Sequence, residues 1–192
     1  MSVADWIVAY GLHVFIFNFG VSYGLHRSVG HRMAPVDSFP VRVAALVGML
    51  ANAGSPIDFI LTHNVHHKYS DTDRDPQDEK RLKWKLLFGI VLPSDQAAVG
   101  EFAAKTKDRY LRFLHRWYYL LLLSFFVGLA VVSGWHGLLA WGLIPSGFAF
   151  FAMGCLNYFG HGESGPRDVG YLWPYIFREC WHRTHHEAGG AR

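Results

Sequence analysis

The stretch HNVHHKYSDTDRDP, from His63 to Pro76, holds three imidazoles (His63, His66, His67) and three carboxylates. A second trio in HRTHH, His182, His185 and His186, repeats the spacing i, i+3, i+4. On a helix that spacing stacks the rings along one face. Asn157 and His161, four apart in NYFGH, share a face in the same way. His26 and His31 in HRSVGH are five apart, which turns them away from each other on an ideal α-helix, so a bend at Gly30 is expected to let both rings converge.

Nine of the twelve histidines fall in these groups. The other three, His13, His115 and His136, read as capping, hydrogen-bonding or surface residues. A closed structural zinc site takes about four ligands, usually including thiolates, so nine imidazoles exceed one metal's capacity and imply two metals. Imidazole suits iron, zinc, copper and nickel, and ligand type alone leaves the metal open. Four or five nitrogens per metal leave room for an exogenous ligand such as oxygen. The acidic residues of SDTDRDP have two readings that both stand open: a solvated turn, or Asp71, Asp73 and Asp75 holding the other ring nitrogens of metal-bound histidines. Glu179, three before His182, carries the same choice. Cys155 and Cys180 have neither the context of a disulfide framework nor metal-site spacing.

The elements that must position these rings follow from the charge distribution. The 192 residues read as one unit with no internal repeat. From Trp117 to Gly160 there is no Lys, Arg, Asp or Glu, enough for two helices of roughly 20 residues that each cross a bilayer, with SGWHG (133–137) as the turn. A third span runs from Trp6 to Leu25 and leads into His26; it reads as a retained span because the N-terminus lacks the basic region of a signal peptide. The stretch Phe39 to Leu61 is apolar but carries Arg42, Asp58, two prolines and two glycines, which suits a re-entrant or interfacial hairpin. Residues 26–38, 62–116 and 158–192 then face one side and, with Arg42, hold all 18 Lys and Arg, which makes that side cytoplasmic. The expected fold class is all-α: an integral membrane helical bundle of about three spans plus that hairpin, with a cytoplasmic helical histidine-rich cap. The net charge of +3 belongs to this membrane bias, and no groove-reading or base-stacking motif accompanies it, so no nucleic acid is expected. KRLKWK (80–85) reads as a membrane-surface anchor, or as a receiver for a phosphate head group or an acidic electron donor.

With HRSVGHR, HNVHHKYSDTDRDP, NYFGH and HRTHH in place, the sequence resembles the membrane-bound fatty acid desaturases of the Δ9 acyl-CoA or acyl-lipid type over residues 20–186. The resemblance implies two iron ions bound by His26, His31, His63, His66, His67, His161, His182, His185 and His186, with Asn157 assisting one iron through a water. It implies an oxidoreductase that uses oxygen to remove two hydrogens from adjacent methylenes of an acyl chain carried on CoA, lipid or acyl carrier protein. No catalytic residue beyond the metal ligands is expected, since an unactivated methylene offers no acidic proton. Electrons would come from a separate donor of the ferredoxin or cytochrome b5 type. The place would be a bacterial inner membrane, a host membrane or, in a eukaryote, the endoplasmic reticulum. A related di-iron hydroxylase or ketolase and a non-catalytic membrane metal-binding protein are the alternatives. RECWHRTHH lacks the Gly-Glu pair common before the family's last box, and the family's span ahead of the first box has no counterpart, which fits a minimal or shortened version. Of the aromatic residues in the spans, Trp6, Phe15, Phe17 and Tyr23 are candidates to line an acyl tunnel, with lipid contact or packing as the duller role.

Overall fold

Helix α1 (Val3–Gly30) starts at a capping box: the Ser2 hydroxyl accepts from the Asp5 N–H at 3.3 Å, and the Asp5 carboxylate accepts from the Ser2 N–H at 2.6 Å. In the computed structural model, which describes residues 1–189, every regular element is helical. Up to Phe15 the winding of α1 is ordinary, whereas Ile16–Gly30 is a π-helix. A π turn closes at i+5, and the His31 N–H indeed donates to the His26 carbonyl at 3.0 Å. The two histidines therefore converge through wider winding rather than through the bend expected at Gly30.

Helix α2 (Phe39–Ala51) runs back antiparallel along α1, with Gly48 against Gly20 and Ala44 against Gly24. A methyl group on Gly20 would sit 2.6 Å from the Gly48 nitrogen, so small residues here let two backbones touch. Asn52 (φ 55) and Gly54 (φ 87) then turn the chain through 84° into α3 (Pro56–Tyr69). A second capping box, Ser55 with Asp58, and Pro56 in the first turn start α3 at that point. The pair thus penetrates as far as Gly20 and returns to set the His63 ring beside Gly30. The bent pair is apolar enough for a broken span or a re-entrant loop, and the return of His63 to the Gly30 end of α1 fits the re-entrant or interfacial hairpin expected from the composition. Lys105 ties the return down, donating to the Gly30 carbonyl at 2.9 Å and to the Asn64 side chain at 2.5 Å.

After α4 (Glu79–Leu82) and α5 (Gln96–Phe102), α6 (Arg109–Arg116) is capped by Asp108 and buries Leu111 and Leu114 while its arginines stay outside. One residue later α7 (Tyr118–Gly137) begins, followed by α8 (Ile144–Phe159). Gly134, at φ 65 and ψ −170, breaks the helical run, and the chain doubles back there: Gly142, two residues ahead of α8, packs against Leu129 and Phe126 of α7. His136 Nε2 lies 3.1 Å from the Asp5 carboxylate, which joins this turn to the N-terminal end of α1. All nine clustered histidines lie at the other end. Short α9 (Trp173–Ile176) leads to α10 (His182–Gly189).

One stretch departs from the sequence reading. Residues 83–89 are not confined to the cap: Leu87 lies against Gly154 and Gly89 against Phe150, well along α8.

Gly48→Ala places a methyl group 2.7 Å from the Gly20 carbonyl and is expected to cost roughly 1–3 kcal/mol by forcing α1 and α2 apart. Gly128→Ala, with open space around it, serves as the neutral control. Thermal unfolding in detergent compares the two, and equal melting temperatures would contradict the close pairing.

Candidate metal centre

The nine rings gather into two groups. His26, His31, His63, His67 and His185 present ligand nitrogens that all lie within 4.8 Å of one another, and His66, His161, His182 and His186 form a second such set. In the first group, Nε2 of His185 lies 2.8 Å from that of His26, 3.1 Å from that of His31 and 3.1 Å from that of His67, and His63 Nε2 is 2.9 Å from His31 Nε2. In the second, His182 Nε2 is 2.9 Å from His161 Nε2 and 3.1 Å from His186 Nε2. Nitrogens bound at about 2.1 Å to a common ion stand about 3 Å apart, so these spacings fit the edges of two coordination shells.

The helices explain the division. In α3, His63 and His67 serve the first group and His66 the second; in α10, His182 and His186 serve the second and His185 the first. Residues i and i+4 are nearly aligned, while i+3 points to the other side of the shared face and diverges from i+4 by one residue's rotation. Each trio therefore bridges the two groups. His67 and His186 stack across the divide with ring centroids 4.2 Å apart.

Behind the rings stand carboxylates. Glu179, buried, accepts from His26 Nδ1 at 2.9 Å and also binds Ser22 and Arg27. Burial alone would raise the Glu179 carboxyl, but His26, then Ser22 and Arg27, hold it well below the usual carboxylate range. Asp75 takes His66 Nδ1 at 2.8 Å and is itself held by the N–H groups of Gln77 and Asp71. Asp71 takes His161 Nδ1 at 3.2 Å. A carboxylate on Nδ1 fixes the tautomer that turns the Nε2 lone pair inward. Of the three aspartates in the turn, Asp73 stays out: it is exposed and only its carbonyl is used, by Arg81. Ser22 and Arg27 had no signal in the sequence as holders of Glu179. His67 Nδ1 is buried without a hydrogen-bond partner among the described residues.

Burial holds His31, His63, His67, His161, His182, His185 and His186 below the usual imidazole range. Burial, followed by the neighbouring His26, pushes His31 and His185 down to about 3, and burial with His66 pushes His186 down to about 2. Neutral imidazoles offer lone pairs rather than protons, the form a metal needs. The all-nitrogen donor sets suit first-row divalent metals.

His13, His115 and His136 keep to structural roles: His13 Nε2 meets the Tyr175 carbonyl at 3.0 Å, His115 Nδ1 the Ser55 hydroxyl at 2.6 Å, and His136 the Asp5 carboxylate.

A cavity of about 350 Å³ passes both groups, touching His26 and His63 of the first, His66 and His182 of the second, and Asn157. Its walls are mostly apolar, with Phe17, Val21, Phe59, Met153 and Leu156 among them. Phe17 is the one tunnel candidate from α1 that lines it; Trp6, Phe15 and Tyr23 are exposed on the outside of the bundle.

Comparison with known proteins places the chain beside lipid-modifying enzymes. The family described as "Fatty acid desaturase" matches residues 4–190. The chain is 28% identical over 180 residues to the "sn-1 stearoyl-lipid 9-desaturase" of Anabaena variabilis, covering 87% of this chain and 65% of that protein. It is 28% identical over 184 residues to the "Delta-9 acyl-lipid desaturase 1" of Arabidopsis thaliana (87% and 59%). It is 31% identical over 220 residues to the "Acyl-CoA desaturase 1" of Saccharomyces cerevisiae (97% and 43%). The chain thus spans under two thirds of the length of these relatives.

Asp75→Asn is expected to weaken metal retention roughly 10–100-fold, as loss of a carboxylate behind a ligating histidine does. Asp73→Asn should leave it unchanged. Bound metal after graded chelator treatment separates the two, and matching curves would contradict the role of Asp75.

Proposed function

Because this chain belongs to the fatty acid desaturase family, we propose that it is an oxygen-dependent fatty acyl desaturase that introduces a cis double bond, at the Δ9 position, into a saturated acyl chain at a di-iron centre. The single observation that carries this reading is the mostly apolar cavity that runs past both imidazole groups. In this reading His26, His31, His63, His67 and His185 hold one iron, and His66, His161, His182 and His186 hold the other. Asn157, on α8 four residues before His161 and facing the cavity, supports the second iron through a water. Bound iron would supply the oxygen activation that an unactivated methylene requires and that no side chain provides.

The chain's own residues do the rest. Phe17, Val21, Phe59, Met153 and Leu156 grip the acyl chain and keep water from the reacting carbons. Glu179, Asp75 and Asp71 hold protons on the Nδ1 atoms of His26, His66 and His161 and so keep each Nε2 aimed at its metal. With one face of the bundle carrying all the clusters and nearly all the positive charge, that face is the cytoplasmic one. Electrons arrive from a separate donor of the ferredoxin or cytochrome b5 type. A surface groove lined by Arg27, Arg178 and Trp181, with His31 and His185 at its floor, suits an acidic donor.

Expression in a host without its own desaturase, followed by fatty acid profiling, is expected to yield a monounsaturated product two hydrogens lighter than its precursor. A product heavier by one oxygen would instead mark a hydroxylase. His67→Ala should abolish the product, and unchanged unsaturation in that variant would overturn the metal assignment.

A further inference from the structure

Helices α2 and α6 share one apolar core, with Val41, Ala45 and Met49 from the first and Leu111 and Leu114 from the second. At the outer end of that seam the residues change in kind. The partly buried Arg42 guanidinium lies over the Tyr110 ring, 5.4 Å from its centroid, and the Tyr110 hydroxyl donates to the Arg42 carbonyl at 3.0 Å. Arg42 Nε is buried without a hydrogen-bond partner among the described residues. Exposed Arg109 and Arg112 flank Tyr110 on α6, and Arg116 follows one turn later with its guanidinium over Trp117.

Among the described residues the arginines that pair with carboxylates are Arg27, Arg74 and Arg81. Arg42, Arg109, Arg112 and Arg116 are not in that set. The acids nearest them in sequence are placed otherwise: Asp108 caps α6 through the Tyr110 and Leu111 N–H groups, and Asp37 stays exposed ahead of α2. A patch of uncompensated arginines, one of them with a buried donor that lacks its acceptor, calls for an anion from outside the chain.

Arg42 stands three residues inside α2, about 5 Å along its axis, and helical side chains lean back toward the N-terminus, so the guanidinium comes out at head-group level where α2 enters the bilayer. Exposed aromatic residues share these elements: Phe39 opens α2, Phe113 is on α6, and Trp117 and Tyr119 stand at the start of α7. Basic and aromatic side chains mix in this way at a membrane–water boundary.

We propose that the seam between α2 and α6 holds the phosphate of an anionic bilayer phospholipid, taken by the Arg42 fork with Tyr110 behind it, as a fixed part of the fold rather than as a reactant. A planar guanidinium takes two phosphate oxygens at once. The exposed aromatic residues around it offer contact to lipid, which a soluble phosphate does not use. A choline head group would set a cation beside Arg109 and Arg112, whereas an anionic one adds to the attraction. The site is separate from the cavity: Arg42 precedes Asn52, the first cavity residue after it in the chain, by ten residues, about 15 Å along α2.

To test this, the full chain, delipidated in detergent, is offered equal amounts of dioctanoyl phosphatidylglycerol and dioctanoyl phosphatidylcholine and read by native mass spectrometry. A single phosphatidylglycerol per chain should survive release from the micelle, in several-fold excess over phosphatidylcholine. Arg42→Gln should lower that occupancy roughly tenfold, and Arg42→Lys, which keeps the charge without the fork, should lower it several-fold. Lys80→Gln, exposed on another segment, should leave it unchanged. In thermal unfolding, phosphatidylglycerol should raise the melting temperature of the wild type and leave that of Arg42→Gln where it was, while millimolar inorganic phosphate moves neither. Equal retention of the two lipids by the wild type, retention indifferent to both Arg42 variants, or equal loss on Lys80→Gln would overturn the site. Stabilisation by inorganic phosphate equal to that by the lipid would overturn the commitment to a lipid. The two-lipid comparison and the phosphate arm use the wild type, so neither depends on a variant's folding.

Discussion

Eight of the nine clustered imidazoles point ring nitrogens at one another across 2.8–3.1 Å, and His66 completes the second group. Imidazole lone pairs held at that range repel unless a cation or a shared proton stands between them, and an unmatched buried polar group costs about 1–3 kcal/mol. This constraint shapes the rest of the molecule. It calls for rigid helices to hold the rings, for carboxylates behind them to fix the tautomers, and for a metal in each group to make the arrangement favourable.

The bundle meets that demand with few devices. Antiparallel contact at Gly20 and Gly48 lets α2 lie directly on α1, and the turn at Asn52 and Gly54 then aims α3 at the end of α1. Lys105 fastens the junction through Gly30 and Asn64. The π-winding of α1 brings His26 and His31 to one side without a break in the helix. Because α3 and α10 each give rings to both groups, the two groups are tied to the same pair of helices. The same end of the bundle therefore carries the rings, their carboxylates and the inner wall of the apolar cavity.

Much of this was legible in the residues. Charge-free runs marked α7 and α8 and their turn, and the Pro-, Gly- and charge-bearing run 39–61 marked the sharply bent pair α2 and α3. The i, i+3, i+4 trios marked the rings that gather. Less could be read where the answer depends on partners distant in sequence. The division of each trio between two groups is set by how α3 and α10 face each other, and HxxHH spacing is silent on that. Asp71 and Asp75 hold rings while Asp73 faces water, a choice made by the turn's fold and by His161, ninety residues away. The expected bend at Gly30 gave way to a π-helix because winding depends on packing against α2, which local spacing does not encode. Residues 83–91 read as cap because lysines dominate their start, yet small residues at Gly89 and Gly154 let the tip reach deep along α8.

The claim on which all of this turns is that two metals sit in one chain, one per imidazole group. Iron-edge anomalous diffraction from crystals of the iron-loaded protein tests it most directly. The account predicts two anomalous peaks in each chain, one enclosed by His26, His31, His63, His67 and His185 and the other by His66, His161, His182 and His186. A single peak shared between the groups, or peaks away from these rings, would contradict it.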